Sequence, residues 1–300
     1  MPDASNADVI RDYYRAMEEG DFAHVVSLHD PEVTCWMSGT SLVSGRFEQR
    51  EPLYAHMGEH VLGSLIVGTE DYVKGSRLVL SDGPFVVGLL HGGLPAKGVG
   101  RYDQFYLQIF RFENGLIREI VEMFDTVMVE TALMKHSLVT GRTSPDRPFI
   151  LDEPIREPLA DRSAMVALAE DFLTAVAEAD MGRLKATLCN DADIRIIGST
   201  PWSGTWGEPC VLGSIFSEGL DWQGIVAADA GGAAGLAKSP NGNQQYGVLL
   251  EAREGRIGCV SVFLDTVAAE LSAFDNPIVG GSSRSIKPPF DVALAFSALP

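Results

Sequence analysis

The sequence predicts an α+β fold built twice along one chain, and three observations predict it. Within the better-preserved copy helical periodicity comes first and strand periodicity follows, an order that sets helices against an antiparallel sheet rather than into βαβ units. The segment "NGLIREIVEMFDTVMVE" returns as "EGRIGCVSVFLDTVAAE", so that Gly115, Ile117, Asp125, Thr126, Val127 and Glu130 recur without a gap 140 positions later. Upstream, "YYRAMEEGDF" (13–22) pairs with "FLTAVAEADM" (172–181), and "GTSLVSG" (39–45) with "GSTPWSG" (198–204), both at an offset of 159. The second copy is therefore 19 residues shorter in its middle. A long unit present twice reads as a domain duplication rather than a solenoid. The expected organisation is a first domain over 1–138, a Pro-rich linker over 139–160, a second, degenerate domain over 161–275 and a tail over 276–300.

The elements of the first unit follow in order. Val9, Ile10, Tyr13, Tyr14 and Met17 share one helical stripe over 6–19. Gly20 stops that helix, and Asp21 caps a short second one ending near Leu28. A strand is expected over 33–38, a helix over 48–62, then strands over 65–73, 77–81, 85–91, 102–112 and 117–124. "ENG" (113–115) turns the last two into a hairpin, and a final helix starts after Asp125. The glycine-rich "HGGLPAKGVG" (91–100) lacks GK[ST] and precedes a strand, so it is expected to be a mobile flap and not a phosphate loop.

Composition narrows the function. Apolar residues make up 46% of the chain, ample for a core. The net charge of −18 argues against a nucleic-acid or anionic-membrane surface and favours a neutral, apolar or cationic partner. Cys35, Cys189, Cys210 and Cys259 form no CxxC motif, and no HExxH occurs, so neither a metal nor a cofactor is expected. Scattered cysteines, a polar N-terminus and the lack of a long apolar run suggest a cytoplasmic protein.

The order helix–helix–strand–helix–strands, "GD" after the first helix and "FRFENGLIREIVEMFDT" near the end resemble the SnoaL-like branch of the ketosteroid isomerase and nuclear transport factor superfamily. The resemblance covers 5–138 well and 164–274 less well. It implies two cones, each of three to four helices closing a curved sheet over an apolar pocket. It also implies dimerisation through the open sheet faces, here as a pseudo-dimer within one chain. The expected assembly is a monomer of this kind or a homodimer of it.

Strand alternation places Arg118, Ile120, Glu122 and Phe124 on one face, which in the cone looks into the pocket. The second copy carries Gly258, Val260, Val262 and Leu264 there, so packing does not demand an acid at 122. Glu122 also matches a catalytic aspartate of limonene-1,2-epoxide hydrolases. His91 falls where those enzymes carry a second pocket aspartate, and Leu89 stands at the position of their intervening arginine. Asp125, repeated as Asp265, reads as a helix N-cap. Tyr102, Gln104, Tyr106 and Gln108 share a face suited to an oxygenated ligand. Tyr13 and Gln108 fall near the oxyanion-binding positions of ketosteroid isomerases, whose base aligns near Trp36. The candidate catalytic set is Glu122, His91 and Tyr13. The candidate binding set is Tyr14, Trp36, Met37, Leu89, Gln104, Tyr106, Gln108 and Phe124. In the second copy only Asp229 and Tyr246 stand out, so it is expected to be mainly structural. The expected function is cofactor-independent isomerisation, cyclisation, dehydration or hydration of a hydrophobic oxygenated small molecule. A binding protein or a scaffold of the same fold is the alternative.

Overall fold

The structure is a computed structural model that describes residues 5–98, 100–141, 151–152, 154–279, 291 and 294–296. The middle of the predicted linker and most of the tail lie outside the described residues. The first unit runs α1 (Asn6–Glu19), α2 (Phe22–Ser27), β1 (His29–Met37), β2 (Gly45–Glu48), α3 (Arg50–His60), β3 (Val73–Asp82), β4 (Phe85–Pro95), β5 (Arg101–Glu113), β6 (Leu116–Met123), α4 (Thr126–Met128) and β7 (Ser137–Leu138). The second runs α5 (Arg162–Ala177), α6 (Met181–Thr187), β8 (Leu188–Ile197), β9 (Gly204–Trp206), α7 (Cys210–Ile215), β10 (Asp221–Ala228), β11 (Gly232–Lys238), β12 (Gln245–Arg253), β13 (Arg256–Leu264), α8 (Thr266–Phe274) and β14 (Ile278–Val279).

Local chemistry sets these boundaries. The Ser5 side chain caps α1 by accepting from the Asp8 N–H, and Gly20 closes it in the left-handed region at φ 72°. Asp21 caps α2 through the His24 N–H. Asn114 and Gly115 take φ of 52° and 78° to turn β5 into β6, and Glu254 and Gly255 repeat this at 52° and 73°.

The described strands form two six-stranded sheets of matching order, β2-β1-β6-β5-β4-β3 and β9-β8-β13-β12-β11-β10, while β7 pairs with β14 across the units. One pairing in each sheet corrects the antiparallel expectation: β1 runs parallel to β6, and β8 to β13. Those partners lie far apart in the chain, so no tight hairpin forces them to be antiparallel. Three predicted elements also shift. The strand expected over 65–73 is mostly turn, with Leu65 making one isolated bridge to Ala96, because Gly68 and the polar run after it break the pattern. The strand expected from 33 begins at His29. The expected flap is instead a hairpin, with His91–Pro95 paired to Arg101–Phe105.

Each sheet buries both faces. In the first unit one face meets the helices through Ile10, Tyr13, Val33, Leu90, Phe110 and Ile120. The other face, with Leu89, Leu107, Ile109, Val121 and Met123, packs on Ala234, Leu236, Leu249 and Phe263 of the second. That two-sided burial explains why β4 and β12 read as near-continuous apolar runs.

Candidate active site

β1 and β6 send alternate side chains inward. Cys35, Met37, Ile120, Glu122 and Phe124 line a cavity of about 170 Å³ under α1 and α3, with Tyr13, Tyr54, Tyr72, Tyr102, Tyr106, Gln108 and His29 completing the polar part of its wall. Among the described residues that line it there is no lysine or arginine.

Among the described residues the Glu122 carboxyl is held by one side-chain hydrogen bond. Gln108, directly opposite it in the β5–β6 register, donates from Nε2 to Glu122 Oε1 at 2.6 Å. Gln108 in turn accepts at Oε1 from the Tyr14 hydroxyl at 3.0 Å. Burial pushes the Glu122 carboxyl above its ordinary range, and the Gln108 hydrogen bond pulls the other way. On the same wall the Tyr106 hydroxyl sits between those of Tyr72 and Tyr102, at 2.9 and 3.0 Å. Burial raises all three phenols, Tyr102 only to about 12 because its hydrogen bonds to Tyr106 and Gln104 oppose the burial. Tyr13 packs edge-on to Tyr14, His29 and Phe110, and burial raises its phenol well above the usual value, with Tyr54 and Glu122 adding to the effect. The glycines of β4 make room for this wall. A Cβ at Gly88 would strike the Tyr14 hydroxyl, and one at Gly92 would come within 2.7 Å of Tyr72.

The structure brings Glu122, Tyr13, Met37, Tyr106, Gln108 and Phe124 together around the cavity. It places five other candidates elsewhere. His91 and Leu89 lie on the opposite face of β4 from Leu90, which lines the cavity. Leu89 joins the inter-sheet core, and His91 stacks on Phe105 at 4.1 Å. Trp36 likewise faces away from the neighbouring cavity residues Cys35 and Met37, donating from Nε1 to Glu119 at 2.7 Å. Alternation forbids Trp36 and Met37 from sharing a pocket. Gln104 is structural: its amide exchanges two 2.9 Å hydrogen bonds with the backbone of Asp125. Gln244, its counterpart, likewise donates to the Asp265 carbonyl at 2.9 Å. Tyr14 does not line the cavity; it meets the lining through Gln108 and the ring of Tyr13.

The pocket histidine is His29, which sequence reasoning missed. Its Nδ1 lies 2.8 Å from the Val25 carbonyl, and burial pushes its pKa down to about 4, with Arg50 adding to the drop and the Val25 hydrogen bond opposing it. The imidazole is therefore neutral at pH 7. Odd-numbered spacing from Met37 back to 29 would have found it, had the strand been started four residues earlier.

The second cone fills the same positions with apolar side chains. Val262 stands at 122, Val248 at 108, Phe172 at 13 and Leu173 at 14. All four are buried in its core, and Val248 pairs with Val262 as Gln108 pairs with Glu122. Tyr246, the counterpart of Tyr106, donates to the Ile215 carbonyl at 3.3 Å. Asp229 accepts from the Gly231 and Gly232 N–H groups in a turn and meets Arg156 at 3.3 Å.

No protein-family profile matches the sequence, and no curated protein matches it. Solved structures do. Bal32a from a soil-derived mobile gene cassette matches at 27% identity over 40% of this chain and 88% of its own, with a TM-score of 0.33. An NTF2-like protein from Burkholderia thailandensis matches at 15% identity over 43% and 97%, with a TM-score of 0.37. TerC, co-crystallised with polyporic acid, matches at 15% identity over 44% and 99%, with a TM-score of 0.33. Each spans about the length of one unit. Helices set against one face of a curled six-stranded sheet, with the first long strand parallel to the last, make each unit an α+β cone, the fold that the resemblance implied.

Proposed function

We propose that the first unit is a cofactor-independent acid–base enzyme acting on a hydrophobic, oxygenated small molecule. The observation that carries this reading is Glu122 on the cavity wall, held by Gln108 at 2.6 Å, with the three-hydroxyl chain of Tyr72, Tyr106 and Tyr102 on the same cavity. Glu122 is half-buried, and a carboxylate partly withdrawn from water is a stronger base than one in free solution. Glu122 takes a proton from a carbon next to a carbonyl, and the C–H electron pair moves towards the oxygen. A tyrosine hydroxyl, Tyr106 or Tyr13, donates to that oxygen as charge develops there. Glu122 then returns the proton to the same or another carbon. An anionic substrate would be buried against Glu122 with no cation in the lining, so the substrate is neutral or cationic. The second unit, in this reading, is a duplicated copy that has lost its pocket and serves as a built-in dimer partner. A scaffold role for the first sheet is disfavoured, since the second sheet covers its outer face.

The test does not require the natural substrate. Apolar cyclic ketones and enones are incubated with the protein in D2O, and deuterium incorporation is followed by NMR. The wild type should speed exchange at the carbon next to the carbonyl, and Glu122→Gln should lose at least about two orders of magnitude of that rate. Ligands that shift the resonances of cavity residues yet never exchange would leave a binding protein and end the enzyme reading.

A further inference from the structure

We infer that Tyr14 is a positioning residue for Glu122: it fixes which end of the Gln108 amide faces the carboxyl group. The inference rests on Glu122 being the proton acceptor of the pocket. A glutamine amide has two ends of similar shape and opposite polarity. With its NH2 towards Glu122 it favours the carboxylate. With its carbonyl towards Glu122 it favours the protonated acid, which alone has a proton to donate.

Several features select the first orientation. Tyr14 is buried, 3% exposed, and the hydrogen bond of its hydroxyl among the described residues is the one to Gln108 Oε1, at 3.0 Å. If the amide turned over, the phenol proton would face an NH2 group and lose its acceptor, a cost of about 1–3 kcal/mol for a buried donor. Gly88 lies beside Gln108 in the β4–β5 register and opens the notch that the hydroxyl occupies. Tyr14 is thus seated by the fold, and the amide takes its direction from the phenol. The second unit supplies an internal comparison. There the positions of Tyr14, Gln108 and Glu122 are Leu173, Val248 and Val262, so the three polar groups are absent as a set while the cone still closes. Packing requires none of the three.

Other titratable groups border Glu122. Tyr13 comes from α1, His29 and Cys35 from β1, Tyr54 from α3, Tyr72 from the segment before β3, and Tyr102 and Tyr106 from β5. At neutral pH the phenols and the thiol are uncharged, because burial raises each of them, and His29 is uncharged because burial lowers it. The direction of the Gln108 dipole is therefore the setting that one side chain can reverse.

The experiment is a pH titration of the full-length protein labelled with 13C at glutamate Cδ, the Glu122 signal being assigned by its loss in Glu122→Gln. Tyr14→Phe keeps the ring and removes the hydroxyl. Its Glu122 midpoint should move to higher pH, and the low-field Gln108 side-chain amide proton bonded to the carboxylate should weaken. Gln108→Met should raise the midpoint by itself, and adding Tyr14→Phe to it should change nothing further. An unchanged midpoint in Tyr14→Phe overturns the inference. So does an equal shift from Tyr14→Phe with and without Gln108, since the phenol would then act directly. The titration reads without substrate, so a protein that fails to exchange ketone protons can still pass or fail it.

Discussion

At the scale of single residues, the stability of the protein should record the burial of Glu122. Its folded pKa is raised above the ordinary 4.5 by desolvation. Below that value the group is protonated in both folded and unfolded chains and costs nothing. As pH rises through 4.5 towards the folded value, the unfolded chain ionises first, so stability falls. Glu122→Gln removes this loss. The variant should melt higher than wild type at pH 8, and the difference should shrink below pH 4.5. His29 tilts the profile the opposite way: its pKa is depressed from 6.5 to about 4, so the unfolded chain binds more protons between those values and stability rises with pH there. Thermal melts of wild type and variant from pH 4 to 8 separate the two, because the variant changes only the Glu122 part. A Glu122→Gln protein less stable than wild type at pH 8 would mean that the carboxylate is fully compensated by its surroundings.

At the scale of elements, the repeated "DT" dipeptides join the units. Asp125 accepts from the Met128 N–H at 3.2 Å and Asp265 from the Ala268 N–H at 3.3 Å, which is N-capping of α4 and α8. The threonines cross over: Thr126 donates to Asp265 and Thr266 to Asp125, both at 2.6 Å, while the Val267 and Val127 N–H groups donate back to them. Asp125→Ala therefore removes a cap and strands a buried hydroxyl, and should cost about 2 kcal/mol in a denaturant titration. Thr126→Val keeps the shape but leaves the Asp265 carboxylate and the Val267 N–H short of a partner, for about 1–3 kcal/mol. The repeated glycines serve the same joint. Gly39, at φ 92°, lies so close to Thr126 Cγ2 that a Cβ could not fit, and Gly198, at φ 136°, does the same for Thr266. Gly39→Ala should cost at least about 1–3 kcal/mol through overpacking and backbone strain.

At the scale of the whole molecule, two sheets close over one shared core. Gly247 allows the approach, since a Cβ there would lie 2.7 Å from Leu107 Cδ2. Arg77 and Glu251 form a buried two-point ion pair across the units at 2.8 and 3.0 Å. Near the tail, the Phe296 N–H donates to Glu119 at 3.0 Å, and the Phe296 ring packs on Phe85. Residues 1–141 expressed alone would expose the face carrying Leu89, Leu107, Ile109, Val121 and Met123. An apolar surface of that kind seeks a partner. Light scattering should find this fragment dimeric or aggregated, and a stable monomer would show that the second sheet is dispensable. No helix among the described residues is long and apolar enough to cross a membrane.

Period and repetition determined much of this from the sequence. The stripe of α1, the hairpin at 113–115, the shared face of Ile120, Glu122 and Phe124, and the two caps at Asp125 and Asp265 all follow from local geometry that each residue carries with it, whereas the inward direction of that face was what the resemblance to the cone fold implied. Comparing the copies also marked 122 as a position where packing needs no acid. The remainder depended on where strands begin and which face meets which neighbour. Starting β1 at His29 rather than 33 decides which histidine reaches the cavity. In β4 both faces are apolar, so hydrophobicity could not tell Leu90, inside the cone, from His91 and Leu89, on the side facing away from it. The hydrogen-bonded line from Tyr14 through Gln108 to Glu122 joins residues 94 and 14 positions apart. It exists because a glycine at 88 leaves room for a phenol, and only the folded sheet brings those three strands and one helix together.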